Sequence, residues 1–258
     1  MSGFLFEQIV FGPIRSRRLG ISLGVNLLPL NRKVCTYNCV YCECGWTLAS
    51  NQQNILPDSN TVKLALETRL KALAEKNAII SSITFAGNGE PTLHPEFGNI
   101  IDSTIEIRNA LYPEAKITVL SNGTQLERPE VASALRKVDQ NILKLDAGSE
   151  HTYQILNQPG INFTLEHLVR LLKQFSGNLI IQSMFVRGAY NGASYDNTTD
   201  DEVQQWLQHL QYIRPQKVLI YPIARETPAG DSQKISFEIL EQIARKVEAC
   251  GINAEVYY

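Results

Sequence analysis

The chain has 258 residues, 44% of them hydrophobic, and 24 Lys+Arg stand against 26 Asp+Glu for a formal net charge of −2. That length and apolar content suit one α/β domain with a full core, and the near balance of charge excludes a general pull toward nucleic acid or an anionic membrane while leaving room for a local basic patch. No apolar run is long enough to span a bilayer, the N-terminus (Met1 to Glu7) has no basic n-region followed by an apolar stretch, and five cysteines in a chain of this size do not make a disulfide scaffold, so a cytoplasmic protein with no membrane partner is expected.

Residues 1–20 read as an N-terminal extension. In it Phe11-Gly12-Pro13 opens a turn, and Arg15, Arg17 and Arg18 follow within four residues. Such a group either grips a phosphate or carboxylate or forms a solvated basic loop. Ile21 to Leu28 reads as the first strand, stopped by Pro29.

Directly after it comes Lys33-Val34-Cys35-Thr36-Tyr37-Asn38-Cys39-Val40-Tyr41-Cys42, with three cysteines spaced C-x3-C-x2-C. Thiolates this close converge on one small object, and a cubane iron–sulfur cluster suits them. Three thiolates leave one of the four irons of a [4Fe–4S] cube open to a substrate or cofactor. Structural zinc wants four ligands. Cys44 offers a fourth, although C-x-C after C-x2-C is cramped for a tetrahedron. A zinc site or a simple redox cluster, as in a sensing module without enzyme activity, is the alternative from another class.

A helix over Thr61–Lys76 follows, with Leu64, Leu66, Leu70 and Leu73 near helical spacing. From there strand and helix alternate. Strands are expected at Ile80–Gly87, Lys116–Asn122, Asn141–Gly148, Asn178–Val186, Lys217–Ile223 and Ala254–Tyr258. Helices are expected at Glu96–Ala110, Pro129–Lys137, Thr164–Phe175, Asp200–Tyr212 and Phe237–Cys250. The last has Ser236 as N-cap, an Ile235–Leu240 staple and Gly251 as C-cap glycine. Alternation implies parallel pairing with right-handed crossovers, hence a partial (β/α)6 TIM-like barrel over 21–258, in one domain with the extension. Strand parity puts Ser82, Thr84, Thr118, Asn122, Lys144 and Asp146 on faces opposite their apolar neighbours. A polar inner face implies an open lumen around a ligand rather than a barrel filled with branched side chains.

The residues with chemistry sit at the C-terminal strand ends, where such barrels build their sites. Gly87-Asn88-Gly89-Glu90-Pro91 allows close backbone approach and offers a carboxylate, although Gly-Asn-Gly alone also describes a turn. Ser121-Asn122-Gly123 ends the next strand and equally suits an Asn-Gly turn. Lys144 and Asp146 form either a structural pair or a sugar or substrate contact. Gln182 or Ser183 is available for a ribose, and Arg225 and Glu226 stand at the mouth as substrate contacts or as a surface ion pair.

The cysteine spacing, with the aromatic Tyr41 just before Cys42, resembles the radical S-adenosylmethionine (radical SAM) superfamily. The resemblance implies that Cys35, Cys39 and Cys42 hold a [4Fe–4S] cluster and that SAM chelates the fourth iron. Reductive cleavage of SAM would then give a 5′-deoxyadenosyl radical that takes hydrogen from a substrate. Gly87, Gly89 and Glu90 resemble the family's GGEP element beside the methionyl amine, with Asn88 where the pattern has its first glycine. Ser121 and Asn122 resemble its SNG strand end near the SAM carboxylate and ribose. Tyr41, Asp146 and Gln182 join the cofactor-binding set on the same analogy, while Arg15, Arg17, Arg18, Lys144 and Arg225 are the substrate candidates. Phe11-Gly12-Pro13, Ser16-Arg17-Arg18-Leu19-Gly20 and Gly89-Glu90-Pro91-Thr92-Leu93 look like the bacterial branch grouped with wyosine-type iron–sulfur oxidoreductases. That implies a tRNA or other RNA base as substrate. A peptide maturase or glycyl-radical activator is the alternative, and a flavodoxin or ferredoxin would donate electrons. Against wyosine synthesis itself stand the lack of a second upstream cysteine set, the lack of a flavodoxin domain and the slightly acidic balance.

Overall fold

The computed structural model describes residues 3–48, 54–160, 162–225 and 227–258. The chain opens with a hairpin, β1 (Val10–Ser16) antiparallel to β2 (Gly20–Val25), with a bulge between Phe11 and Ile14. It continues through α1 (Ser59–Ala74), β3 (Ser82–Phe85), α2 (Phe97–Leu111), β4 (Lys116–Ser121), α3 (Pro129–Lys137) and β5 (Gln140–Lys144). Next come α4 (Glu150–Asn157), α5 (Leu165–Lys173), β6 (Ile180–Tyr190), β7 (Ala193–Asp196) and α6 (Asp200–Ile213). β8 (Lys217–Pro222), β9 (Gln233–Lys234), α7 (Phe237–Ala249) and β10 (Asn253–Val256) complete it.

The sheet runs β1-β2-β3-β4-β5-β6-β8-β10, and every neighbouring pair from β2 onward is parallel. The first and last strands on this path, β1 and β10, do not pair with each other, so the barrel is open. Six strand–helix units followed by a seventh parallel strand match the expected architecture. The expected turn at Phe11 is instead strand β1, because the extension folds back on β2. The long β6 runs past the barrel, where β7 and β9 pair with it antiparallel.

The helices form for local and tertiary reasons together. Asp58, Ser149 and Thr164 cap α1, α4 and α5 by accepting the N–H of Thr61 (2.7 Å), Thr152 (3.2 Å) and His167 (3.2 Å). Asp200, Asp201 and Glu202 place acid in the first turn of α6, where the helix dipole favours it. Helix α5 is only nine residues long, too short to stand alone. It is held by burying Leu165, Leu168, Val169, Leu171 and Leu172, each worth ~1.5–3 kcal/mol. On α1, Val62, Leu66, Leu70 and Leu73 face the sheet, while Leu64 is 67% exposed and lies off the expected stripe. Ile235 and Leu240 are both buried as a staple requires, but Ser236 makes no side-chain bond to the α7 backbone. Gly251 takes φ +77 after the helix, as a C-cap glycine does.

Outward residues such as Leu23, Ile83, Phe85, Ile117, Val119, Leu143 and Ile181 join the helices in one core. The opposite faces line the lumen. Ser22, Thr84, Ser82, Thr118 and Gln140 form a chain of side-chain hydrogen bonds of 2.7–2.9 Å across four strands. Farther round, Ile142, Ile180 and Leu219 cluster with Leu19, Leu120 and Tyr257. Leu19 comes from the β1–β2 turn and Tyr257 from the C-terminal tail, so the turn and the tail pack on the same small cluster. Among the described residues no helix is long and apolar enough to cross a membrane.

Candidate active site

The C-terminal ends of β2, β3 and β4 carry three loops that bind one another. Val34 of the cysteine loop bridges to Gly89: Val34 N–H donates to Asn88 O at 2.9 Å and Glu90 N–H to Val34 O at 3.0 Å. This approach requires glycine. Gly89 has φ +136, and a Cβ there would lie 1.8 Å from Val34 O. A Cβ on Gly87 (φ +148) would meet the Asn26 side chain at 2.5 Å.

Asn88 explains its own departure from the glycine pattern. Its buried side chain accepts from Phe6 N–H (2.8 Å) and donates to Phe6 O and Pro29 O (2.9 Å each). The side chain thereby imitates a strand partner for the extension, whose Phe6 ring stacks on Phe11 with centroids 3.6 Å apart.

Glu90 is buried and its carboxylate knits the loops together. Oε1 accepts from Thr92 N–H (3.1 Å), the Thr92 hydroxyl and the Ser121 hydroxyl (2.8 Å), and Oε2 accepts from Asn122 N–H (2.7 Å). Burial raises its pKa, against the pull of these donors. Oε2 has only one donor and keeps acceptor capacity. Asn122 reaches the cysteine loop: its Nδ2 donates to Thr36 Oγ1 (2.9 Å) and toward Cys35 Sγ (3.6 Å).

From the other side the loop rests on α4, an element that the sequence reading missed. Val40 N–H donates to Leu156 O (3.0 Å), Asn38 N–H to Asn157 O (3.0 Å), and the Tyr37 and Tyr153 hydroxyls meet at 2.6 Å. Asn157 Nδ2 reaches Tyr41 OH (3.0 Å), Asp146 Oδ2 (2.9 Å) and Cys39 Sγ (3.5 Å). Asp146 collects four donors: Met184 N–H on Oδ1 (2.9 Å), and Asn157, the Tyr41 hydroxyl and Lys144 Nζ (3.2 Å) on Oδ2. A carboxylate has about four acceptor sites. Asp146, expected at the ribose, anchors Tyr41 through Oδ2, while Oδ1, with only Met184 N–H, keeps acceptor capacity. Lys144, expected at the substrate, is held by Asp146 and by Tyr41 OH at 3.0 Å. Burial is the largest influence and works against the Lys144 charge, but Asp146, Tyr221 and Cys39 together raise the pKa.

Cys35, Cys39, Cys42 and Cys44 all line one cavity of about 190 Å³, together with Gly87, Gly89, Glu90, Asn122, Lys144 and Gln182. Among the described residues no three His, Cys, Asp or Glu side chains are placed to hold a single metal ion; the thiols surround a space instead. Lys33 lies beside them, buried, with Nζ donating to Gly45 O at 2.9 Å. Burial opposes its charge, yet Cys42, Cys35 and Cys39 raise its pKa. Burial also pushes the Cys35 thiol up to about 12. Cys42 is pulled down to about 5, first by its hydrogen bond with Cys44 and further by Lys33, while Cys44 is pushed up in return. The Cys44 thiol also points to Gly87 O at 3.3 Å.

The remaining candidates disperse. The three arginines do not form one grip: Arg15 and Arg17 are exposed on the hairpin, while Arg18 turns inward to Gln182 Oε1 (2.9 Å) and the Tyr221 ring (4.4 Å). Their backbone lies at the N-terminal end of β2, and of the three only the Arg18 side chain reaches a residue, Gln182, that lines the cysteine cavity. Gln182 faces the cavity, whereas Ser183 points the other way and bonds Leu145 O. Arg225 is a surface ion pair, 63% exposed and 2.7 Å from Glu43. Glu226 lies outside the described residues.

A family model described as the Radical SAM superfamily matches residues 33–189, more than half of the chain. The chain belongs to the radical SAM superfamily. A Brachyspira hyodysenteriae protein named GTPase Obg is 29% identical over 96% of this chain and 35% of its own length. A UPF0026 protein of Helicobacter pylori is 33% identical over 72% of this chain and 59% of its own. This radical SAM chain thus spans between a third and three fifths of those two relatives. A radical SAM methyltransferase from Sphaerobacter thermophilus shares the fold, with TM-score 0.67 and 17% identity over 92% of this chain and 66% of that one.

The radical SAM donor set fits a cluster carrying negative charge. Tyr37 N–H (3.4 Å) and Asn122 Nδ2 aim at Cys35 Sγ, Asn157 Nδ2 aims at Cys39 Sγ, and the buried Lys33 ammonium balances the thiolates. Lys33, Tyr37, Tyr153 and Asn157 were not picked out from the sequence. Lys33 alone carried a signal, as the charged residue two positions before Cys35.

Proposed function

We propose that the chain is an enzyme that cleaves SAM reductively and uses the product to take hydrogen from a substrate. The observation that carries this reading is the meeting of the Cys35, Cys39 and Cys42 thiols with the Gly87–Glu90 loop and Asn122 around one cavity. Cys35, Cys39 and Cys42 would hold a [4Fe–4S] cluster, which when bound supplies the electron for cleavage. Gly87 and Gly89 let the backbone approach the methionyl group, and the open acceptor site of Glu90 Oε2 receives its amine. Asn122 would orient the carboxylate end. Asp146 and Asn157 act indirectly, by fixing Tyr41 and Cys39. A flavodoxin or ferredoxin is the proposed electron donor.

An RNA base remains the proposed substrate on the family resemblance, reached at the C-terminal mouth rather than through an arginine grip on the hairpin. A peptide is the alternative outcome. The test is electron paramagnetic resonance of the reduced, anaerobically reconstituted protein. SAM should shift the cluster signal, and the shift should persist in Cys44→Ala. An unchanged spectrum with excess SAM refutes an open iron, and elemental analysis showing zinc instead of iron supports the sensing module.

A further inference from the structure

We infer that Arg18, Gln182 and Tyr221 form a receptor for an oxyanion of the substrate, phosphate or carboxylate, within the lumen beside the cysteine cavity. The inference rests on the proposed SAM-dependent reading for the existence of a substrate, and it adds the chemistry by which that substrate is recognised.

Arg18 enters from the β1–β2 turn. One of its N–H groups bonds Gln182 Oε1 at 2.9 Å, and its guanidinium stacks on Tyr221 at 4.4 Å. A guanidinium has five donors, and no carboxylate among the described residues pairs with it. The other lumen cation, Lys144, is neutralised by Asp146. A half-buried positive charge with no counter-ion favours an anion more strongly than the same charge in water would.

Gln182 reports the same polarity independently. It is only 6% exposed. Arg18 cannot accept a hydrogen bond, so the amide oxygen must face it and the NH2 must face away. That NH2 has no partner among the described residues, and neither has the hydroxyl of Tyr221, itself buried. Neither atom is fully sealed from solvent, so both groups open onto accessible space where a ligand atom could meet them. Three groups able to donate, from the β1–β2 turn, β6 and β8, thus meet at Arg18. An acceptor-rich, negatively charged ligand group satisfies all three.

If Arg18 served only to tie the hairpin to β6 and β8, a stronger partner at position 182 would improve the tie. Gln182→Glu separates the two roles: the carboxylate would pair with Arg18 and hold the turn, yet fill the anion site. Isothermal titration of the reconstituted holoprotein with inorganic phosphate and with acetate, at fixed ionic strength, reads the outcome. At least one anion should bind saturably. Arg18→Gln and Gln182→Glu should each weaken it by roughly tenfold or more, with thermal stability kept in Gln182→Glu. Preference for phosphate assigns a phosphate-bearing substrate such as a nucleotide, and preference for acetate a carboxylate such as a peptide end. Absence of saturable binding of either anion, or binding unchanged in Gln182→Glu, overturns the inference. SAM cleavage by the unaltered holoprotein is read separately: its absence refutes the proposed function while leaving the anion result intact.

Discussion

Removing the Asn88 amide should detach the extension from the Gly87–Glu90 loop. In Asn88→Ala three hydrogen bonds disappear, two to Phe6 and one to Pro29 O. The Phe6 bonds are partly buried, so water can replace them at a net cost of about 0.5–1.5 kcal/mol each. The Pro29 carbonyl is buried and loses the Asn88 bond, at about 1–3 kcal/mol. The sum, roughly 2–6 kcal/mol, is a large share of the ~5–15 kcal/mol that holds a typical domain together. The Phe6–Phe11 stack should loosen with it. Urea denaturation measures the loss, and hydrogen exchange at the Phe6 amide locates it. Exchange there should accelerate even where the rest of the chain stays protected. A loss below about 1 kcal/mol together with unchanged Phe6 protection would refute this account of Asn88.

Gly89→Ala places a Cβ 1.8 Å from Val34 O. It should cost about 1–3 kcal/mol in backbone strain alone and lower the iron bound per chain; full iron loading would contradict the close approach. Cys44→Ala should keep the full iron load, because Cys44 bonds Gly87 O and Cys42 and is assigned no ligand role; iron loss on the scale of Cys39→Ala would make it a ligand. Tyr41→Phe strips one donor from Asp146 and one acceptor from Lys144, with an expected loss of roughly 1–3 kcal/mol in chemical denaturation and faster release of iron to a chelator. For Glu90, burial raises the folded pKa above the ordinary 4.5. Its proton-linked stability is therefore full below that value and is lost as pH rises through the higher folded pKa. The stability of the wild type relative to Glu90→Gln should fall with rising pH across that window, and a relative stability that climbs would reverse the assigned shift.

The sequence made the barrel legible because strands and helices alternate with clear periods. All seven parallel strands were anticipated, and α3 at its observed bounds. Strand ends were overextended at Gly87 and Gly148, where the chain leaves the sheet to build the site. β1 was hidden because Gly12 and Pro13 read as a turn, and the bulge between Phe11 and Ile14 absorbs them. α4 was hidden by its eight-residue length and by depending on Glu202, whose carboxylate takes the N–H groups of Gly148 and Ser149 and the Thr152 hydroxyl from another helix. The same non-local contacts explain the candidate site. The cysteine spacing and the glycine loop are local and readable. Whether Asp146 meets a ligand or Tyr41, and whether Arg18 faces water or Gln182, depends on pairings more than 100 residues apart.

The most direct test is to incubate the anaerobically reconstituted protein with SAM and a strong reductant and to quantify 5′-deoxyadenosine and methionine. The wild type should form both in equal amounts, and Cys39→Ala should form neither. Undiminished turnover by Cys39→Ala, or no cleavage by wild type carrying a reduced iron–sulfur cluster, would contradict the account.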